Sequence, residues 1–384
     1  MVDLIADPKL VPIAEKVATR ERLSFDDGMT LFRTDDLLTV GRLANSVRER
    51  ISGDNAYFTV NRYVNHTNVC VVSCKLCAFA VRPKQDGGWT YTADEIVEQV
   101  RPSIAHGARE LHIVGGLHPW LEFDYFLDLM RKLKTNFPDV HLKALTMVEI
   151  DFLSKIAKLS VRETIEQLRE AGLDSCPGGG AEIFHPEIRD EICDHKMSAE
   201  RWLEISKTCH AMGIRTNCTM LYGHIERFEH RVDHILRLRE LQDETHGFNC
   251  FVPLHFHKQN TVYEHQIEEA SALDDLRTIA VSRLLFDNVD HIKAYWIGMG
   301  EKTAQVALSF GADDLGGTIH DERIFKMAGS DTDATTMTRD KLERLIRDAG
   351  RVPVETDSIY GAVTKTLDAS PSASSHASLA APAS

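Results

Sequence analysis

Apolar positions in the first 50 residues recur at helical spacing, in Leu10-Val11-Ile13-Ala14-Val17 and again in Leu37-Leu38-Val40-Leu43-Ala44-Val47, and predict helices. Beyond them the pattern changes to short apolar, β-branched runs separated by longer amphipathic stretches. The runs are Phe58 to Val64, Leu111 to Val114, Leu142 to Val148, Leu173 to Cys176, Ile214 to Leu221, Phe248 to Leu254, Ile292 to Ile297 and, less regular, Ala312 to Leu315. Between them Ala93 to Ile104, Glu122 to Phe137, Ile165 to Ala171, Ala199 to Met212, Arg227 to Gln242, Leu273 to Phe286 and Lys302 to Phe310 predict helices. Such alternation points to a parallel sheet, because parallel neighbours need a crossover that is usually a helix. Eight strand-helix units match an α/β fold of the (β/α)8, TIM-type barrel class. An open doubly wound sheet would show the same alternation, so closure of the barrel is an expectation.

The expected organisation is a helical extension over residues 1–50, a barrel over 51–350 and a C-terminal extension over 351–384. From Ala369 the chain reads ASPSASSHASLAAPAS, which offers almost nothing to bury and predicts disorder from about residue 369.

Composition narrows the partners. The 384 residues are 43% hydrophobic and 27% charged, ample for a sizeable core. Forty-four basic against 58 acidic side chains leave a net charge of −14, which repels phosphate backbones and anionic membrane surfaces. Neither nucleic acid nor membrane is an expected partner. No apolar run approaches the roughly 20 residues of a membrane span, and the start MVDLIADPKL lacks the basic flank and apolar core of a signal peptide. A cytoplasmic location is expected.

The eight cysteines divide unevenly. Cys176, Cys193, Cys209, Cys218 and Cys250 are scattered singly and read as small core side chains. Cys70-Val-Val-Ser-Cys74-Lys-Leu-Cys77 has the spacing C-x3-C-x2-C and follows the first predicted strand, on the barrel face that carries chemistry. Three thiolates can bind three irons of a [4Fe–4S] cube and leave the fourth open to a small molecule. Structural zinc, the alternative, takes four closed ligands, commonly as paired C-x2-C units. No second pair is present, although His66 could supply a fourth ligand. Three unrelated buried cysteines are the remaining possibility.

Other candidates gather at predicted strand ends. Pro177-Gly178-Gly179-Gly180-Ala181-Glu182 could cradle a ligand, with Glu182 accepting from ribose hydroxyls, or could simply turn the chain into a helix. Glu149, after the third run, either shares that cleft or opens the next helix. His66, His118 and His224 stand beyond the first, second and fifth runs, where a histidine can bind a carboxylate or move a proton. Arg82 can form a bidentate pair with a carboxylate or a surface ion pair. His255 and His257 follow the sixth run and would point to one side, suiting a substrate carboxylate or a metal. Asp313 and Asp314 could anchor a polar group at the eighth run or act as caps.

The three-cysteine motif resembles that of the radical S-adenosylmethionine (SAM) superfamily, in which the open iron chelates the amino and carboxylate groups of SAM. Val114-Gly115-Gly116 resembles the superfamily's Gly-Gly edge, which faces the methionyl amine. Asn65-His66-Thr67-Asn68-Val69-Cys70, Cys77-Ala78-Phe79, Pro177 to Ile183 and Phe310 to Leu315 resemble the branch holding the menaquinone futalosine-pathway enzymes and the deazaflavin (F0) synthases. Lys293-Ala294-Tyr295-Trp296, Ala304 to Phe310 and Lys326-Met327-Ala328-Gly329 are most similar to the aminofutalosine synthases.

The resemblance implies a [4Fe–4S] cluster on Cys70, Cys74 and Cys77, SAM against Phe79, Gly115, Gly116, Glu149 and Glu182, and substrate near His66, Arg82, His118 and His255. The implied reaction adds the 5′-deoxyadenosyl radical to 3-[(1-carboxyvinyl)oxy]benzoate, with aryl migration and loss of the carboxylate, to give 6-amino-6-deoxyfutalosine. SAM would be consumed, and an electron donor such as flavodoxin or ferredoxin would be required. The alternatives are a dehypoxanthine futalosine cyclase or F0-synthase-like enzyme and, from another class, a non-enzymatic iron–sulfur or zinc-binding protein.

Overall fold

Parallel strands wrap into a closed barrel in the computed structural model, which describes residues 5–193, 195–330, 336–361 and 363. The strands are β1 (Asn55–Thr59), β2 (Asn61–Val64), β3 (Glu110–Ile113), β4 (His141–Ala144), β5 (Ser175–Cys176), β6 (Arg215–Tyr222), β7 (Phe248–His255), β8 (His291–Ile292), β9 (Asp314–Gly317) and β10 (Val352–Glu355). One sheet has the order β2-β3-β4-β5-β6-β7-β8, and the other β10-β1-β9. A bend at Val60 separates β1 from β2, so the first barrel strand belongs to both sheets.

Backbone hydrogen bonds close the ring. Ala294 N–H donates to Asp314 C=O at 2.8 Å, Tyr57 N–H to Asp313 C=O at 2.7 Å, and Tyr63 N–H to His320 C=O at 2.9 Å. The expected (β/α)8 barrel is therefore the observed fold, with β10 laid parallel against the outer part of β1.

Several boundaries differ from the expected ones for a common reason. The run Leu142 to Val148 is strand only to Ala144. Thr146 then caps the helix Met147–Ala157 in a reciprocal box with Glu149, so apolar residues pass from strand to helix without a polar break. The run Ile292 to Ile297 likewise stops being strand at Ile292 and becomes the short helix Trp296–Met299. Helix Phe25–Arg33, opened by a Ser24–Asp27 capping box, and helices Pro186–Cys193 and Arg339–Asp348 stand outside the expected set, as does β10.

The N-terminal helices Val11–Thr19, Phe25–Arg33 and Leu37–Ser52 form an extra layer, and the last two pack on the barrel helix Ala272–Leu285. Covered by the strands on one side and by this layer on the other, Ala272–Leu285 buries ten side chains, the polar Asp275, Thr278, Ser282 and Arg283 among them. The expected disorder from about residue 369 lies outside the described residues. Among the described residues no helix is long and apolar enough to cross a membrane.

Candidate active site

The loop after β2 crosses the C-terminal mouth of the barrel and is pinned by its own backbone. Cys70 N–H donates to Val81 C=O at 2.9 Å, Val71 N–H to Leu117 C=O at 3.0 Å, and Lys75 N–H to Ile192 C=O at 2.9 Å. Cys70, Cys74 and Cys77 are half-buried, unpaired by disulfides, and all three line one cavity of about 330 Å³. That volume suits a small organic molecule. A hydrogen bond from the Cys193 thiol lowers Cys74 to about 7, while burial pushes Cys77 up to about 11. Three thiols facing one cavity fit a thiolate-bound iron–sulfur cluster with a free coordination position. Among the described residues no three His, Cys, Asp or Glu side chains are gathered closely enough to hold a single metal ion.

Phe79, Gly115, Gly116, Glu149, Glu182 and His255 also line the cavity. The two glycines serve chain packing: a Cβ on Gly116 would stand 2.3 Å from the Val69 carbonyl oxygen, and one on Gly115 would stand 2.5 Å from the His66 ring. Gly115 N–H donates to Glu149 Oε1 at 3.0 Å. Glu149 thus opens its helix and lines the cavity at once, and burial raises its carboxyl to about 7. Gly116→Ala is expected to displace Val69 and Cys70 and to lower stability by about 1–3 kcal/mol. Urea unfolding checks the loss, and iron content after reconstitution checks the displaced thiol.

Glu182 adopts a left-handed backbone, with φ at +48°, and pairs with Lys196 at 2.5 Å. Burial works against ionisation of Glu182, but the Lys196 ammonium more than offsets it and holds the carboxyl below its ordinary value. His255 Nδ1 is committed to Asp275 at 2.8 Å, which directs the other ring nitrogen elsewhere.

The barrel floor is polar. Lys143 and Glu110 form a pair at 2.7 Å with both side chains at most 5% exposed, and Lys293 pairs with Asp314 at 3.1 Å. Tyr63 stacks on His112 with ring centres 4.3 Å apart. Burial drives His112 down to about 3, which keeps its ring neutral, and Glu322 up to about 7. Asn217 Oδ1 lines the same cavity, is buried, and has no partner.

Three expected substrate contacts lie elsewhere. His66 is buried behind Gly115, with its edge to Phe126 at 5.3 Å between ring centres. Arg82 is exposed and its guanidinium donates to Val71 C=O at 3.3 Å. The His118 Nδ1 accepts from Trp120 N–H at 3.2 Å, away from the cavity wall. His224 caps the β6 end through Leu221 C=O and pairs with Glu226. Lys196, Glu110, Lys143, Glu322 and Asn217 are cavity residues that the motifs did not reveal. For Lys143 and Glu110 the signal was a charged residue set against apolar neighbours in a strand, as in His-Leu-Lys-Ala at β4; Lys196, Glu322 and Asn217 carried none.

Comparison with known proteins fits this geometry. Residues 64–238 match the Radical SAM superfamily, and residues 245–367 match the CofH/MqnC C-terminal region. The chain belongs to the radical SAM superfamily. It is 50% identical to the aminodeoxyfutalosine synthase of Thermus thermophilus, over 93% of this chain and 96% of the relative. It is also 42% identical to the 5-amino-6-(D-ribitylamino)uracil–L-tyrosine 4-hydroxyphenyl transferase of Methanothermobacter thermautotrophicus, over 85% of this chain and 89% of that one. Among solved structures, methylornithine synthase (PylB) superposes with a TM-score of 0.70 at 18% identity, covering 88% of this chain and 96% of its own, which shows the shared fold. Radical SAM enzymes use a [4Fe–4S] cluster and SAM, and the cavity at the cysteine loop is where this superfamily member offers three thiols together.

Proposed function

We propose that the chain is an aminodeoxyfutalosine synthase, which consumes SAM and 3-[(1-carboxyvinyl)oxy]benzoate to form 6-amino-6-deoxyfutalosine for menaquinone biosynthesis. The observation that carries this reading is the 50% identity to such a synthase along nearly its whole length. A [4Fe–4S] cluster on Cys70, Cys74 and Cys77, when bound, supplies the single electron that opens SAM to methionine and the 5′-deoxyadenosyl radical. Phe79, the Gly115–Gly116 edge, Glu149 and Glu182 form the wall beside the thiols and are assigned to SAM. Lys196 keeps Glu182 ionised, so the carboxylate can accept from hydroxyl groups. His255, oriented by Asp275, can present its second nitrogen to a substrate carboxylate.

The barrel wall and the segment around Phe325 keep water from the radical while it adds to the vinyl carbon. The aryl group then migrates and the carboxylate departs as CO2 or bicarbonate, the odd electron passing to a one-electron acceptor. On the loop after β2 the exposed Arg82 and Lys84 carry positive charge on an acidic chain, suiting an acidic one-electron donor such as flavodoxin or ferredoxin. The reaction belongs in the cytoplasm, where thiols stay reduced.

Anaerobic turnover with dithionite and the vinyl ether, read by mass spectrometry, tests the reading. The expected product carries the adenosyl group joined to the substrate skeleton. Formation of 5′-deoxyadenosine without an adduct would overturn it in favour of a hydrogen-abstracting enzyme such as the cyclase. Glu182→Gln is expected to weaken SAM binding about tenfold or more, the worth of a hydrogen bond to a charged group. Equilibrium binding to cluster-loaded protein measures it, and unchanged affinity removes Glu182 from the SAM wall.

A further inference from the structure

Cys193 ends the helix Pro186–Cys193 and has no part in the chemistry above, yet its side chain shares one small apolar cluster with that of Cys74. The next residue of the loop, Lys75, ties the two segments together. Lys75 N–H donates to Ile192 C=O at 2.9 Å, and the Lys75 ammonium pairs with Glu191 at 2.7 Å. Cys193 is 2% exposed, within a small apolar cluster that includes Ile192, Leu221, Phe256 and Tyr263, and Cys74 packs against that cluster. Cys74 itself lines the cavity and is reachable by a small solute. One accessible thiol therefore lies beside one sheltered thiol, the arrangement of an oxidisable cysteine with a resolving partner.

We propose that Cys74 and Cys193 form a reversible disulfide when the chain meets a peroxide without its cluster, and that this pairing preserves Cys74 for cluster reassembly. In the first step the Cys74 thiolate attacks one peroxide oxygen. An S–O bond forms, the O–O bond breaks, hydroxide leaves, and the sulfur is oxidised by two electrons to a sulfenic acid. The Cys193 sulfur then attacks the Cys74 sulfur, an S–S bond forms, the S–O bond breaks, and the departing hydroxide takes up the Cys193 proton as water. Two thiols and one hydrogen peroxide thus give one disulfide and two waters. A dithiol reductant restores both thiols, whereas a second peroxide acting on an unpaired sulfenic acid gives a sulfinic acid that thiols do not reverse. The pairing rests on the thiol contact alone; only its protective value rests on Cys74 as a cluster ligand.

The full chain is treated with hydrogen peroxide after chelation of its iron, blocked with iodoacetamide and digested with trypsin without reductant. Cleavage after Arg62 and Lys75 places Cys70 and Cys74 on the peptide 63–75, and cleavage after Arg189 and Lys196 places Cys193 on 190–196. The expected species is 63–75 joined to 190–196, with fragment ions assigning the link to Cys74. Recovery of Cys193 alkylated, with Cys74 joined to Cys70 or Cys77 or converted to the sulfinic acid, would overturn the proposal. The same digest of anaerobic cluster-loaded protein should lack the link. A link present equally in loaded protein would keep the pairing and instead count against Cys74 as a ligand. Cys193→Ser should reconstitute its first cluster normally, but after peroxide and dithiothreitol it should regain several-fold less iron and sulfide than the unmodified chain. Equal recovery would overturn the protective role, and the peptide map stands even where that variant folds poorly.

Discussion

Alanine at Cys70, Cys74 or Cys77 is expected to abolish SAM cleavage and the broad visible absorption of the reconstituted protein, while the cluster-free chain keeps its circular dichroism. The physical reason is placement. All three thiols are half-buried in a loop over the barrel mouth, and the main core of strands and helices is complete without them. Truncation of a small, partly exposed side chain costs about 1 kcal/mol or less, a change in thermal midpoint of about 1 °C in a chain of this size. A structural zinc site would behave otherwise, because its binding energy, about 10–16 kcal/mol in small zinc domains, is folding energy. Variants that unfold globally would make these cysteines structural. Variants that keep both absorption and SAM cleavage would remove the cluster from this loop. Anaerobic reconstitution followed by absorption, iron and sulfide analysis and SAM cleavage separates the outcomes.

The alternation of apolar runs made the barrel legible because each strand is buried on both faces and each crossover helix is amphipathic. What it hid were transitions without punctuation. At Thr146 an apolar run turns from strand to helix, and the evidence for it is the pair Thr146 and Glu149, a cap rather than a change in hydrophobicity. The helix Ala272–Leu285 was found, but its burial on most sides, polar residues included, comes from the N-terminal layer packed on it, a tertiary fact.

In the site, local spacing brought out the cysteines, the glycine pair and Glu182, since each depends on residues a few positions apart. His66, Arg82 and His118 had the right chemistry and the right strand ends, yet their side chains turn to Phe126, to the Val71 carbonyl and to the Trp120 amide. Direction at a strand end is set by loop conformation, which no periodicity encodes. Lys196 and Glu182 are fourteen residues apart across a turn and a helix, and only the folded chain joins them.

The same seam that closes the barrel carries its most exposed weakness to mutation, at Asp313. This carboxylate is fully buried and accepts from four donors: Arg283 Nη2 at 2.9 Å, His291 Nδ1 at 2.8 Å, Ser52 Oγ at 2.8 Å and the Ile292 amide at 2.8 Å. Those donors come from the Ala272–Leu285 helix, from β8 and from the end of the Leu37–Ser52 helix, so one side chain ties β9 to three neighbours. Asp313→Ala is expected to lower the unfolding free energy by about 3–5 kcal/mol, because the Arg283 charge is left buried without its counter-ion. Asp313→Asn keeps an acceptor oxygen but turns an N–H2 toward donors, and should fall between the two.

The loss carries a pH signature. Burial alone would raise the Asp313 carboxyl, but Arg283 and the His291 and Ser52 hydrogen bonds more than offset it and hold it below the usual value. A carboxyl depressed in the folded state stabilises fully above its unfolded pKa, about 3.9, and loses that contribution as pH falls toward the folded value. The gap between parent and Asp313→Ala should therefore be constant from pH 7 to about 5 and narrow below about 4. Urea unfolding of the cluster-free chain at several pH values measures it. A neutral-pH loss below about 1 kcal/mol, the range of an exposed ion pair, would mean that Asp313 does not hold the seam. A gap that stays constant through acid pH would assign the loss to packing instead of charge.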